Sequence, residues 1–210
     1  MGEQVQGTTS RSGTYGGQSR EERAADRRGR IMQAALELFA ARSYDEVTVA
    51  EVCARAKVSK RYFYEDFTDR ESLLRAVHHE RNDWLLAGIA AAAPKEPEDL
   101  EALYRPMMTT LVQMLVEHPE SARVIYINAP RMELRRRGLL RKNAELFGRL
   151  TRRAITRPRD KQGYERMLLA LVAGVTEVII DWLERGMTDD AEALVTHLTW
   201  FATTLLTSLR

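Results

Sequence analysis

The chain has one cysteine, six prolines and four histidines among its 210 residues, and it has no long apolar run. A single cysteine excludes an intrachain disulfide. Cys53 also falls in the packed register of a helix, where it reads as a small buried apolar side chain rather than a redox switch. The histidines are His78, His79, His118 and His197. Adjacent histidines on a helix point about 100° apart and do not converge on a metal. No carboxylate accompanies them at ligand spacing, and the chain has no glycine-rich phosphate loop and no nucleophile elbow. The sequence therefore argues against an enzyme and names no catalytic residue, no metal and no cofactor. Apolar stretches such as Leu168 to Val175 are far too short to span a membrane. The first 20 residues hold no apolar segment of the kind a signal peptide needs, so the expected location is cytoplasmic. A net charge of +2 points to no particular partner. Strand-like alternation is missing as well. Even Val175-Thr176-Glu177-Val178-Ile179-Ile180 sits inside a longer helical period.

What remains is helical. Hydrophobic content of 44% is ordinary for a globular protein, and the length suits one or two small domains with a real core. Residues 1–18 are rich in glycine and polar residues and are expected to be a disordered tail. Ser19-x-x-Glu22 then opens a helix by capping-box logic. Its apolar stripe is Ile31, Ala34, Ala35, Leu38 and Phe39, and Arg20, Arg23, Arg27, Arg28 and Arg30 crowd its front half. Those arginines read equally well as a solvated face or as phosphate contacts.

Residues 48–73 carry the most information. Thr48-x-x-Glu51 is a second capping box, and Val49, Val52, Cys53 and Ala56 repeat at helical spacing behind it. Ser59 is an N-cap candidate for the next helix, in which Phe63 and Phe67 share one face. Thr68-x-x-Glu71 reads as a further capping box. Two helices of about two turns, linked through Lys57-Val58-Ser59, are what a helix-turn-helix requires. Between Ser43 and His79, however, six basic residues face seven acidic ones. DNA affinity must then depend on which face the cations occupy.

The segment resembles the DNA-binding signature of the TetR family of bacterial transcriptional regulators. The resemblance rests on Thr48-Val49, Val52-Cys53, Ala56-Lys57-Val58-Ser59, Phe63-Tyr64, Phe67, Arg70-Glu71 and Leu73. It departs from the family pattern at Lys57, where glycine is usual; in a left-handed turn a lysine costs on the order of 1 kcal/mol. It departs again at Arg61 and Tyr62, which are larger than the usual pair, and at Asp66, which would repel a phosphate. The resemblance implies an all-α fold of about nine helices. A three-helix helix-turn-helix DNA-binding unit at 19–74 would precede a helical bundle for effector binding and dimerisation at 75–210. It also implies a ligand-responsive homodimer, by default a repressor, that binds a palindromic double-stranded DNA operator through a recognition helix at 59–67. The alternative is a helical interaction module that has lost sequence-specific DNA binding.

The predicted DNA-facing residues are Thr48, Ser59, Lys60, Arg61, Tyr62, Tyr64 and Arg70. Thr48 and Arg70, at helix N-termini, read as phosphate clamps. Beyond the signature, a helix is expected from Arg70 to Ala92, and the next has Pro97 in its first turn and continues to His118-Pro119. Further helices are expected at Glu120 to Asn128, Arg131 to Thr156, Lys161 to Arg185 and Asp189 to Leu209. The last two are apolar over more than one stripe, so each must be covered on more than one side. Ala170, Ala173, Gly174, Val178, Leu198, Phe201 and Leu205 are the predicted dimer face. The family's small-molecule cavity would draw on Trp84, Tyr104, Met107, Met108, Met114, Tyr126, Phe147 and Trp182, and the sparse acidic residues favour an uncharged or anionic apolar effector. The Arg135-Arg136-Arg137 run reads as a solvated helix face. We expect Arg61→Ala to weaken specific DNA binding by about 1–3 kcal/mol and to relax one operator position. Equal losses on specific and random DNA would reassign Arg61 to a phosphate.

Overall fold

A computed structural model describes residues 19–128, 133–155 and 160–207, with the backbone alone over 133–137. The expectations for residues 1–18 and for the arginine run 135–137 fall outside what it describes. Among the described residues there are nine α-helices and no strand: α1 Arg20–Ala41, α2 Val49–Ala56, α3 Lys60–Asp66, α4 Arg70–Ala92, α5 Leu100–Glu117, α6 Pro119–Ala122, α7 Glu133–Thr151, α8 Lys161–Glu184 and α9 Ala191–Thr207. No helix among them is long and apolar enough to cross a membrane.

Local chemistry sets most boundaries. Ser19 Oγ accepts from the Glu22 N–H at 3.0 Å, while the Glu22 carboxylate accepts from the Ser19 N–H at 2.6 Å. The same reciprocal box closes the start of α2 between Thr48 and Glu51. The cap of α4 differs from expectation. Asp69, not Thr68, is the N-cap, and its carboxylate accepts from the Ser72 N–H at 2.6 Å. A carboxylate at a helix N-terminus is favoured over a hydroxyl because the peptide dipoles present positive charge there. α5 likewise begins later than expected. Asp99 caps it by accepting from the Ala102 N–H at 2.8 Å, which leaves Pro97 outside the helix. α5 also runs through Pro106, losing one backbone bond. Burial of Leu103, Tyr104, Met107 and Met108 on both sides of the proline, each at most 1% exposed, keeps it helical.

The span expected as one short helix from Glu120 divides. α6 begins with Pro119 and passes at Arg123 into a single π-helical turn, Arg123–Asn128. The wider turn carries an extra residue, which lets Val124 and Tyr126 serve different cores. α7 ends at Thr151 rather than Thr156. The Thr151 hydroxyl donates to the Phe147 carbonyl at 2.7 Å and pairs with the Tyr104 hydroxyl at 2.6 Å, and a turn follows.

Buried apolar residues sort into two clusters. One is built from residues 31–77 plus Val124; the other spans Leu85 to Leu206. α4 belongs to both, with Leu73, Leu74 and Val77 in the first and Leu85 and Ile89 in the second. The π turn is the other shared element, since Val124 enters the first cluster and Ile125 the second. Its Asn128 side chain donates to the Phe39 carbonyl of α1. Cys53 is buried, and burial raises its thiol pKa, which suits a packing role.

His78 lies at the junction of these two shared elements. It is 8% exposed and bonded to the Ile125 backbone. Burial, with a smaller contribution from the neighbouring His79 charge, pushes its pKa down to about 4. Between that value and its ordinary one near 6.5, the unfolded chain binds a proton that the folded chain does not. Stability must therefore fall as pH drops through this window. We expect a loss on the order of 2 kcal/mol between pH 7 and pH 5, read from denaturant midpoints, and a clearly flatter profile in His78→Gln. An unchanged profile in the variant would place the acid sensitivity elsewhere.

Candidate nucleic-acid interface

The turn between α2 and α3 is made by Lys57, whose φ of 55° and ψ of 47° are left-handed. The Lys57 and Val58 N–H groups return to the Ala54 and Cys53 carbonyls, the pattern that satisfies a helix C-terminus. The residue that departs from the family pattern thus adopts the backbone glycine would have supplied. Ser59 follows with extended N-cap geometry, though its side chain makes no capping bond. α3 is therefore held by its neighbours rather than by its own cap.

Phe63 and Phe67 are buried on one side of the α3 segment, their ring centres 5.7 Å apart. Lys60, Arg61, Tyr62 and Tyr64 face outward. Tyr62 is 40% exposed and Tyr64 57%, well above what large aromatics usually show on a surface without a partner. Arg61 is freer still and pairs with Glu65 at 3.5 Å. The expected outward set is thus brought together on one exposed face. Thr48 is exposed at the start of α2, engaged in its cap through the Glu51 carboxylate. Bonds from the Thr48 hydroxyl and backbone, then from Arg42, hold the Glu51 pKa down at about 2.

Two features were not anticipated. The first is the role of the α1 arginines, which brace the helix-turn-helix. The Arg27 guanidinium lies 4.3 Å from the Tyr62 ring centre, and Arg28 lies 4.5 Å from that of Phe67. Arg28 also makes a long bond, 3.5 Å, to the Asp66 carbonyl that ends α3, and Arg30 donates to the Ala56 carbonyl at 3.1 Å. Arginines four and three apart ahead of an apolar stripe were the available signal. Their targets, however, lie more than twenty residues away in sequence.

The second is Arg70. Its guanidinium donates to the Asp45 and Val47 carbonyls at 3.1 and 2.6 Å and stacks 4.1 Å from the Tyr44 ring centre. The expected phosphate clamp is thus engaged in holding the 44–47 turn against α4. The acidic excess is similarly absorbed. Glu46, Glu51 and Asp69 serve capping boxes, and Glu71 pairs with Arg75 at 3.0 Å. We expect Arg70→Ala to destabilise the fold by about 1–3 kcal/mol while the salt dependence of DNA binding keeps its slope. A slope reduced by about one unit with unchanged stability would restore the clamp role.

In the larger core, a cleft lies among α4, α5, the π turn, α7 and α8. Met108, Tyr126 and Phe147 line it, together with Leu85, Leu86, Ile89, Leu111 and others. Of the remaining residues expected there, Tyr104, Met107 and Trp182 are fully packed in the core, at most 2% exposed. Met114 packs against Gly88, and Trp84 stacks edge-on against His118 at 4.9 Å. None of these five lines the cleft. Two polar residues that the search for aromatic and sulfur side chains passed over, Asn82 and Asn143, do line it. The cleft's empty space is about 450 Å³ out to its mouth.

On α8 and α9, Ala170 is exposed, and Ala173, Gly174, Val178, Phe201 and Leu205 are half-buried. Leu198 is wholly within the chain's own core and cannot face a partner. Gly174 is explained inside the chain: a Cβ there would meet the Phe201 ring at 2.7 Å.

Residues 31–77 match the family model for bacterial regulatory proteins, tetR family. The HTH-type transcriptional regulator YuxN of Bacillus subtilis (strain 168) is 31% identical over 90 residues, which is 43% of this chain. The match spans 31% of that relative's length. A tetR-family transcriptional regulator from Streptomyces coelicolor superposes with a TM-score of 0.71 at 20% identity, over 88% of this chain and 82% of that one. FadR from Bacillus subtilis, solved with stearoyl-CoA, gives 0.68 at 14% identity, over 83% and 97%. At such identities the shared property is the fold. The likeness to the tetR family of bacterial regulatory proteins therefore rests on residues 31–77, the segment that contains α2 and α3.

Proposed function

We propose that this protein is a dimeric transcriptional repressor that binds a near-palindromic operator and leaves it when a small apolar effector fills the cleft. The observation that carries this reading is the outward face of α3. Lys60, Arg61, Tyr62 and Tyr64 stand exposed on a helix whose other side is buried through Phe63. Arg61 has the reach and donor geometry to pair with a guanine edge, and the two tyrosines can donate to phosphates or bases. Ser59 and Thr48, at the starts of α3 and α2, lie where helix N-termini favour phosphate oxygens. Residues 19–74 form the DNA-binding part in this reading, and residues 75–210 the effector and dimer part.

A homodimer through α8 and α9 is supported by the apolar side chains left half-open there, Val178, Phe201 and Leu205, and by Trp200, 60% exposed on α9. A two-fold pair of α3 helices would match two half-sites one helical turn apart. That a FadR of this fold was solved with stearoyl-CoA supports an apolar effector. α4 offers a route of coupling, because it lines the cleft and packs beneath the helix-turn-helix. An effector that favours one placement of α4 would shift the spacing of the recognition helices.

Selection of the full-length protein against random duplex DNA, with affinities measured at two salt concentrations, tests the reading. An enriched near-palindrome with a steep salt slope is expected. Weak binding indifferent to sequence and to salt would favour a helical interaction module instead.

A further inference from the structure

The cleft has a property that narrows its ligand. Among the described residues, no charged side chain lines it. Its polar groups are Asn82, Asn143, Tyr126 and Thr176, and the Thr176 hydroxyl is already spent on the Val172 carbonyl at 2.8 Å. Asn82, on α4, is 4% exposed, and its Nδ2 is buried with no hydrogen-bond partner. Asn143, on α7, has its Oδ1 buried and equally without a partner. An unpaired polar group in an apolar enclosure is costly, and native folds keep few of them. Here two such groups, a donor and an acceptor, come from different helices and border one cavity.

The neighbouring charges are arranged to stay outside. Asp83 and Lys142, next in sequence to Asn82 and Asn143, pair across the α4–α7 gap at 3.5 Å. Asp83 also meets His79 at 3.3 Å. Both members of the Asp83–Lys142 pair are about half exposed, so they mark the solvent side of the gap. A carboxylate or phosphate carried inward would lose its hydration with no cation among the described lining residues to meet it.

We propose that this cleft binds an uncharged amphiphile, an apolar chain or ring bearing one polar group that both accepts and donates a hydrogen bond, of which an amide is the closest match. The amide oxygen takes the Asn82 Nδ2–H, and the amide N–H meets Asn143 Oδ1. Should both asparagines turn over, the reciprocal pair is kept with the two roles exchanged, since each side chain carries both a donor and an acceptor. The apolar body lies against Leu85, Met108 and Phe147, where the flexible thioether of Met108 can move aside to widen a narrow space. This proposal rests on the reading of the cleft as the effector site and adds the chemistry of the effector.

Calorimetric titration of the purified full-length protein with octanamide, octanoate at pH 8 and methyl octanoate tests it, because the three share a similar tail and differ at the head. Octanamide is expected to bind about tenfold or more tightly than either of the others. Asn82→Leu and Asn143→Leu should each abolish that preference while holding or raising the melting temperature of the unliganded protein, since each removes an orphaned polar group. Octanoate binding as well as the amide would overturn the neutral-head assignment and leave the effector site standing. The ester matching the amide would show that no donor is read, and would overturn it too. Leucine variants that melt lower and keep the preference would assign both asparagines to the fold and overturn it. Binding of none of the three would remove both the inference and the effector-site reading.

Discussion

The burial of Phe63 and Phe67 is the interaction on which the rest of the N-terminal unit depends. α3 has seven residues, and a helix of that length has almost no stability of its own in water. It lacks a side-chain N-cap bond, and its start follows a left-handed lysine. What holds it is the packing of two aromatic rings against the α1 and α4 side of the core, with Arg27 and Arg28 of α1 reaching over to Tyr62 and to its C-terminal end while Arg30 holds the end of α2. Its outward side chains are positioned only because its inward ones are fixed. Each cation–π contact contributes about 0.5–1 kcal/mol at such partly exposed sites, so the arginines tune the placement while the phenylalanines determine it.

The same economy governs the link between the two cores. α4 carries apolar residues into both, and the π turn does so again within six residues. Between them sits His78, kept neutral by burial and bonded to the turn's backbone. A movement of one core relative to the other is felt by these two elements and by α6, against which α1 also packs.

Much of this was legible in the chain. Helical periodicity is strong where a helix buries a continuous stripe, so α1, α4, α8 and the signature helices emerged within a residue or two of their ends. Two capping boxes were read correctly because their chemistry is local. The third was displaced by one residue, since Thr68 and Asp69 are both competent caps and sequence spacing alone cannot weigh a hydroxyl against a carboxylate. The π turn was invisible because its period differs only slightly from that of an α-helix over six residues. The tasks of Arg27, Arg28 and Arg70 depend on tertiary neighbours and have no local signature. In the cleft, aromatic and methionine residues were sought, and most proved to be ordinary core. Asn82 was readable in principle, as a polar residue at a position that the α4 period assigns to the interior.

The uneven exposure along α3 has an evolutionary consequence. Arg61 touches little besides Glu65, so its replacement leaves the fold intact. Tyr62, although it faces outward, is also the surface on which Arg27 rests, and Phe63 beside it is sealed in the core. Adjacent positions on one short helix are therefore under different degrees of structural constraint. Drift in what this surface recognises can proceed through residue 61 by single substitutions, whereas a change at residue 62 has to be matched by one on α1. Duplicated copies of such a gene would diverge first at the position that nothing else in the molecule needs.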